Sequence, residues 1–289
     1  KSNSADMKTI GWELSLGWND RLENGFSYWV KGVLSDYQAT ITKYAGNDAG
    51  FYSQSDGDGK YYVGQKIGEI WGYHSNGLFQ SDDEAATIDQ SELYAGKWGA
   101  GDVKYEDLDG DGKITKGEET IYNPGDKSII GNKTPRYQFG ITVGFDYKNF
   151  DFEMFWQGTG KRDYMLSGAQ FWGFTSQWDV PYTPALDYWT ETNTDAYFPR
   201  PGWQNGGNRV TSDRYLQSAA YGRLKNLTVG YTIPKNLTTK WGISRLRLYV
   251  TGENLLTITP LNDAFDPETL GGLTYPINRK VAIGLNLTL

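Results

Sequence analysis

The sequence predicts an all-β fold, namely part of a transmembrane antiparallel β-barrel with long extracellular loops. Two observations predict it. Seven segments alternate apolar and polar residues with a period of two, each over about the 9–11 residues of a membrane-crossing strand. The connections between these segments are alternately short and long, which is typical of outer-membrane barrels with short periplasmic turns and long extracellular loops.

The first two predicted strands form a hairpin. In the first strand, Thr9–Asn19, large apolar residues from Ile10 to Trp18 fall at alternate positions, with small or polar residues between them. The second strand, Phe26–Asp36, repeats this pattern. The short stretch Asp20–Gly25 contains Asp, Asn and Gly, as a hairpin turn requires.

Five further strands are predicted in the second half of the chain. The third is the most regular, and the turn Lys148-Asn149 joins it to the fourth. The five segments are Arg136–Tyr147, Phe150–Gln157, Arg223–Ile233, Arg245–Asn254 and Arg279–Leu289.

Three long loops separate the predicted strand pairs: Tyr37–Pro135, Gly158–Gly222 and Leu255–Asn278. A soluble β-sandwich can show the same period-two alternation. However, a structureless loop of nearly a hundred residues is unusual in a compact soluble domain. In a barrel, all three loops fall on the extracellular side, and the last strand ends at the periplasmic side.

The composition limits the classes of partner and chemistry. The 28 Lys and Arg against 35 Asp and Glu give a net charge of −7, which argues against a nucleic-acid partner because a phosphate backbone requires a basic surface. Cysteine is absent and His74 is the single histidine, so disulfides and His-rich zinc sites are excluded. We interpret His74 as a packed loop residue. The 21 Tyr and 11 Trp suit barrel girdles or surfaces that contact carbohydrate or peptide.

The segment Asp107–Glu118 matches D-x-D-x-D-G-x5-E, the calcium-loop pattern of EF-hands. Calcium requires six to eight oxygen ligands, and Gly112 permits the sharp turn that brings them together. The flanks are not clearly helical, so we expect an isolated loop with a structural ion; the alternative is a solvated acidic turn. The predicted ligands are the side chains of Asp107, Asp109 and Asp111, the carbonyl of Lys113, Thr115, and both carboxylate oxygens of Glu118.

Two stretches of the second long loop are dense in aromatic residues. Flat rings stack on sugar faces or hold peptide side chains, which makes these residues candidates for substrate binding. The alternative is that they pack the loop onto itself or onto a covering protein. The candidates are Trp172, Trp178, Tyr182, Trp189 and Trp203.

Six stretches resemble the C-terminal region of the SusC/RagA family of TonB-dependent outer-membrane transporters. Their order and spacing fit that family from about Thr9 to the C-terminus, although Leu289 stands where outer-membrane proteins commonly end in an aromatic residue. The stretches are Gly68–Tyr73, Gly101–Gly112, Gly131–Gly140, Arg223–Pro234, Leu248–Leu256 and Val281–Leu289.

The resemblance implies that residues 1–289 are the C-terminal part of a barrel of about 22 strands with a plugged lumen. The plug domain and the N-terminal strands are then expected upstream of Lys1, and about 15 further strands should pair with the first and last strands here. It also implies a TonB complex that acts through the missing part and a SusD-like surface lipoprotein over the loops. Residues 107–118 then lie inside the extracellular loop 37–135.

The function that this predicts is energised import of oligosaccharides or peptides across the outer membrane. One alternative is a barrel that anchors surface lipoproteins or exported proteins and imports nothing. Another is a calcium-stabilised β hydrolase. The sequence has no G-x-S-x-G motif and no P-loop, so we do not expect an enzyme.

Overall fold

The computed structural model describes residues 5–45, 47, 50–51, 61–270, 275 and 277–289. The main strands are β1 (Ala5–Arg21), β2 (Ser27–Tyr44), β7 (Arg136–Tyr147), β8 (Phe150–Lys161), β11 (Tyr221–Thr232), β12 (Arg245–Ile258) and β13 (Lys280–Thr288). Short strands are β3 (Glu69–Tyr73), β4 (Ser75–Leu78), β5 (Val103–Tyr105), β6 (Lys127–Asn132), β9 (Asp163–Met165) and β10 (Leu216–Ser218). The helices are α1 (Asp82–Ala85), α2 (Ala169–Trp172), α3 (Lys235–Thr238) and three 3-10 turns, Thr183–Leu186, Gly206–Arg209 and Thr239–Trp241.

The seven long strands form one antiparallel sheet in the order β1-β2-β7-β8-β11-β12-β13. Each long strand pairs with the long strand that follows it along the chain, so the sheet is a meander. This confirms the predicted fold class and all seven predicted strands. Within the described residues, β1 and β13 each pair on one side only, and the sheet is open. Pairing of these two edges with further strands stays a prediction.

The cross-strand register places most of the large apolar residues of the seven strands on one face. One row of directly paired residues crosses the whole sheet on that face: Trp18, Val30, Val143, Met154, Leu227, Gly252 and Val281. The neighbouring row, on the opposite face, is mostly polar or small: Asn19, Trp29, Gly144, Glu153, Thr228, Thr251 and Ala282. This two-sided pattern suits a wall with lipid on one side and a polar lumen on the other.

Strand β2 is longer than predicted and ends at Tyr44 rather than Asp36. The predicted apolar face carries Tyr28, Val30 and Leu34 at even positions, whereas the buried Ala39 and Ile41 beyond it occupy odd positions. The change of phase ends the simple alternation although the strand continues. The beginning of the predicted first loop is therefore strand.

The hydrophobic core lies in the three long loops rather than beneath the sheet. These loops leave the sheet at the same end of its strands. We call their described residues 61–135, 162–220 and 259–270 the loop body. All three loops contribute buried side chains to one cluster: Tyr73, Leu78, Val103, Tyr105, Ile114, Leu166, Phe171, Trp172, Ala185, Trp189, Ala196, Phe198, Tyr215, Ala219, Leu261 and Leu270. No helix in the described part of the chain is long and apolar enough to cross a membrane.

The close packing of Trp29 on Gly144 gives a test of the register. A Cβ atom at Gly144 would lie 2.2 Å from the Trp29 ring, whereas a Cβ atom at Gly32 would meet nothing within 4 Å. We expect Gly144→Ala to destabilise the folded protein by about 1–3 kcal/mol because the indole must move. Gly32→Ala is the matched control and should leave stability unchanged. Denaturant unfolding of the full-length protein in detergent measures both, and equal midpoints would contradict the register.

Candidate functional site

The acidic segment Asp107–Glu118 forms a tight loop between β5 and β6. Gly110 and Gly112 have φ angles of +78° and +85°, which glycine adopts without strain. The Asp107 carboxylate accepts hydrogen bonds from the N–H groups of Gly110 (2.7 Å) and Gly112 (2.8 Å). Ile114 is fully buried in the loop-body core and anchors the loop. The chain therefore makes the turn that the motif predicts.

The structure brings a third carboxylate, Asp126, beside Asp107 and Asp109. One carboxylate oxygen of each of the three lies within 4.8 Å of the others. Asp126 is fully buried, and it accepts hydrogen bonds from the N–H groups of Leu108 (2.8 Å) and Thr115 (2.7 Å). These bonds fix the orientation of the Asp126 carboxylate toward the loop. Sequence reasoning missed Asp126 because it lies outside the twelve-residue motif.

The remaining predicted ligands lie outside this three-carboxylate group. Asp111 is exposed and accepts a hydrogen bond from the N–H of Lys113 at 2.8 Å. Lys113 forms an isolated bridge with Asp89. Thr115 contacts Asp126 through its backbone N–H. Glu118 is exposed, and its N–H bonds the Asn123 carbonyl.

Gly117 and Gly125 lie against each other and bring Asp126 back to the loop; we call this contact the glycine neck. The backbones at Gly117 and Gly125 touch: a Cβ atom at Gly117 would lie 2.4 Å from the Gly125 nitrogen. Both glycines have positive φ angles, of +56° and +58°. The residues between them form an excursion that starts and ends at the same place, so Asp126, which directly follows Gly125, lies beside the acidic loop.

Two of these carboxylates have pKa values shifted in opposite directions. At Asp109 the N–H of Asp111 favours the charged form, but desolvation and repulsion from Asp111, Asp126 and Asp107 outweigh it and raise the pKa. At Asp107 the hydrogen bond from Gly112, together with those from Gly110 and Asp111, lowers the pKa. Repulsion of this kind is relieved by a cation, and carboxylate oxygens are the ligands that hard cations prefer.

The five aromatic candidates divide into two groups. Trp172 and Trp189 are each 8% exposed and belong to the loop-body core, which favours the packing interpretation for these two. Trp178, Tyr182 and Trp203 are 83%, 53% and 48% exposed. Only the second group is open to a ligand or partner.

A cleft of about 370 Å³ lies beside the exposed group. Arg209 joins the two chain segments on either side of this cleft, because its guanidinium donates to the carbonyls of Phe174 and Trp203, each at 3.2 Å. Trp203 is the one predicted aromatic residue among those that line it. The lining residues are Phe174, Ser176, Gln177, Asp179, Pro201, Gly202 and Trp203.

His74 joins the first loop to the second. Its Nδ1 lies 2.7 Å from Asp213 Oδ2, and its Nε2 lies 2.7 Å from Ser128 Oγ. This is the hydrogen-bond connectivity of a Ser-His-Asp triad. However, Ser128 lies within β6 and pairs with Gly72 of β3, rather than at a strand–helix elbow. We interpret the three side chains as a fastening between loops.

Comparison with known proteins gives a consistent result over the whole chain. It is 29% identical to TonB-dependent receptor P3 of Formosa agariphila and 24% identical to TonB-dependent receptor SusC of Bacteroides thetaiotaomicron. Each alignment covers 99% of this chain, and 29% and 27% of the respective relatives. The chain thus spans about three-tenths of the length of the curated relatives that it matches. No family model matches the sequence.

Solved structures agree on the fold. The structure of the RagAB peptide transporter superposes with a TM-score of 0.72 at 19% identity, over 99% of this chain and 30% of that chain. A second structure, of the RagAB peptide importer in the "closed-closed" state, superposes with a TM-score of 0.68 at 20% identity. The predicted resemblance to the SusC/RagA family and the predicted outer-membrane location are confirmed. The relatives are receptors and transporters rather than enzymes.

The His74 contacts give a test that separates fastening from catalysis. We expect Ser128→Ala to leave ester hydrolysis at the level of the unaltered full-length protein, because Ser128 acts only as a hydrogen-bond partner. We expect His74→Ala to speed proteolysis in the loops, because it removes both contacts. Ser167→Ala, at an exposed serine of the second loop, is the control and should change neither hydrolysis nor proteolysis. Serine-dependent hydrolysis that disappears in Ser128→Ala would contradict the structural role.

Proposed function

We propose, from the similarity of the whole chain to TonB-dependent receptors, that it is the C-terminal part of an outer-membrane importer of oligosaccharides or peptides. TonB, acting through the part of the protein outside this chain, supplies the energy. A SusD-like surface lipoprotein covers the loop body. The observation that carries the proposal is the match of 99% of the chain to these receptors.

The geometry of the sheet supports import. Its apolar face suits lipid, and its opposite face carries polar groups, including the Arg247–Asp151 ion pair. The third loop is held against this polar face: Arg223 bonds Asp266 at 2.6 Å, and Lys225 bonds Glu268 at 3.0 Å. A polar wall with a structured body at one end suits a pathway that large polar cargo enters from outside.

The exposed aromatic residues of the loop body support a role in recognition. Trp178 and Tyr182 lie close in sequence to the exposed Val180 and Leu186, and Trp203 lies further along the same loop. Exposed apolar side chains at this density are typical of interaction sites, and buried aromatic residues contribute strongly at the centre of interfaces. We propose that these residues contact the cargo, the lipoprotein, or both.

The import proposal is tested with Trp178→Ala/Tyr182→Ala/Trp203→Ala in the full-length protein. We expect uptake of native cargo to fall more than tenfold, because three lost contacts of roughly 1 kcal/mol each exceed the about 1.4 kcal/mol of a tenfold change. The control is Trp241→Ala. Trp241 is also exposed, but it lies in the turn between β11 and β12, at the end of the strands opposite the loop body. Uptake by growing cells and lipoprotein recovered with the purified barrel are both measured.

The two readouts separate the alternatives. Lost uptake with retained lipoprotein places the cargo on these rings, whereas loss of both places the lipoprotein there. Unchanged values of both would contradict the recognition role. Uptake that persists in cells without TonB would contradict energised import and favour the anchoring alternative.

We also propose that the acidic loop binds a structural calcium ion. Asp107, Asp109 and the buried Asp126 would hold it, with Asp111, the Lys113 carbonyl, Thr115 or water completing the six to eight oxygens that calcium requires. When bound, the ion removes the repulsion between the carboxylates and stabilises the loop. The loop pairs with Asp89 and is anchored by Ile114, so its order extends to the loop body.

The structure makes a prediction here that differs from the motif. We expect Asp126→Asn to weaken calcium binding about tenfold or more, whereas Glu118→Gln should have little effect. Calcium titration of the full-length protein in detergent, followed by thermal stability, measures this. A larger loss of affinity in Glu118→Gln than in Asp126→Asn would instead identify Glu118 as the ligand.

The same titration has a pH dependence with a defined sign. Calcium binds the deprotonated carboxylates, and the pKa of Asp109 is raised above its ordinary value. Affinity should therefore hold at neutral pH and fall as the pH is lowered toward that raised pKa. In Asp109→Asn the affinity at neutral pH should be lower and this part of the acid dependence should be lost.

A further inference from the structure

A cleft lies at the end of the sheet where β2 exchanges one hydrogen-bonded partner for another. The β2–β7 ladder ends at the pair Ser35–Gln138. Further along, the Ile67 N–H donates to the Ala39 carbonyl at 2.9 Å, so a segment of the first loop has replaced β7 as the partner of β2. Between these two ladders lies a cleft of about 280 Å³.

The lining of this cleft is cationic. It contains three basic side chains, Lys133, Arg136 and Arg162, and no carboxylate. The chain as a whole is acidic, with a net charge of −7, so this local balance is opposite to the average. The other lining residues are Tyr37, Gln38, Ala39, Ile67, Gly68, Asn132, Thr134 and Pro135.

The nearby carboxylates are already engaged by other groups. Asp36 forms a two-pronged ion pair with Arg136. Asp163 accepts the Asn132 N–H at 2.9 Å, and Glu69 accepts the Lys66 N–H at 3.0 Å and the Tyr62 hydroxyl. Within the described ranges, neither Lys133 nor Arg162 has a carboxylate within salt-bridge distance. Two positive charges at the cleft therefore lack a counterion among the residues that the structure describes.

The walls of the cleft are fixed before any ligand arrives. The Ile67 carbonyl accepts from Asn132 Nδ2 at 3.1 Å and from Thr134 Oγ1 at 2.8 Å. The Lys133 N–H donates to the Gly68 carbonyl at 2.8 Å. Arg162 donates its Nε–H to the Lys133 carbonyl at 3.1 Å, which orients the guanidinium and leaves its terminal amino groups for a ligand. A site arranged in this way loses little entropy on binding.

We propose that this cleft binds an oxyanion, that is, a carboxylate, sulfate or phosphate group, between Lys133 and Arg162. Guanidinium groups match the geometry of such anions, and an ammonium group adds a compact charge. The anion has two possible sources: an acidic group on saccharide cargo, or the phosphorylated headgroup of an outer-leaflet lipid. Only the first source rests on the proposed import function.

Selenate tests the site directly, because it mimics sulfate and its selenium can be located by anomalous scattering. In crystals of the full-length complex soaked in selenate, we expect an anomalous peak at hydrogen-bond distance from Lys133 and Arg162. The variant Lys133→Gln/Arg162→Gln should lose the peak. The charge-matched control Lys235→Gln/Lys240→Gln should retain it. These two lysines lie in the turn between β11 and β12, at the opposite end of the strands. No peak in the parent, or a peak that survives in the Lys133/Arg162 variant, would overturn the proposal.

Two further measurements identify the source of the anion. If it is cargo, the affinity of the complex for trigalacturonate should fall about tenfold in Lys133→Gln/Arg162→Gln, while neutral galactotriose is unaffected. If it is lipid, the phosphate that co-purifies with the complex should fall instead. An equal loss for both trisaccharides would overturn the charge-based site, because a neutral ligand should not sense these residues. Failure of the unaltered protein to take up any cargo in a TonB-dependent way would count against import and leave the selenate result intact.

Discussion

The cross-strand register is the constraint on which the rest of this structure depends. A strand in a membrane must pair its backbone groups, and it must present its apolar side chains to the lipid side. Because side chains alternate, a register shift of one residue between any two strands would move the apolar side chains of a whole strand to the polar face. Rows such as Trp18–Val30–Val143 keep the phase across the sheet. The same register places Arg223 on the polar face, where the third loop covers it.

The loops have a different source of stability. They are not held by lipid, and they bury their own apolar side chains in a core that all three share. Ile114 shows the consequence for function, because it belongs to that core and lies within the acidic loop. The position of the carboxylates thus depends on residues from distant parts of the chain. Contacts such as His74–Asp213 and Arg223–Asp266 add polar fastenings between loops and between loop and sheet.

The sequence predicted the sheet well, because a period-two pattern follows directly from strand geometry. It missed the last part of β2, where the apolar phase changes after Leu34 but the strand continues. It predicted the turn at Gly112 and the grouping of Asp107 with Asp109. It missed Asp126, since a motif of fixed length cannot anticipate an excursion that closes on itself. It could not separate Trp172 from Trp178, because burial depends on contacts far apart in sequence.

The glycine neck at Gly117 and Gly125 separates two tasks along one stretch of chain. The residues on either side of the neck hold the carboxylates, while Tyr122 at the tip of the excursion is 82% exposed. Because the chain enters and leaves the excursion at one point, a change confined to the exposed tip has little influence on the acidic loop below. The tip is thus a natural place for a fluorophore or an epitope tag on the cell surface. A probe placed there would report the position of the loop body in living cells without disturbing the acidic loop.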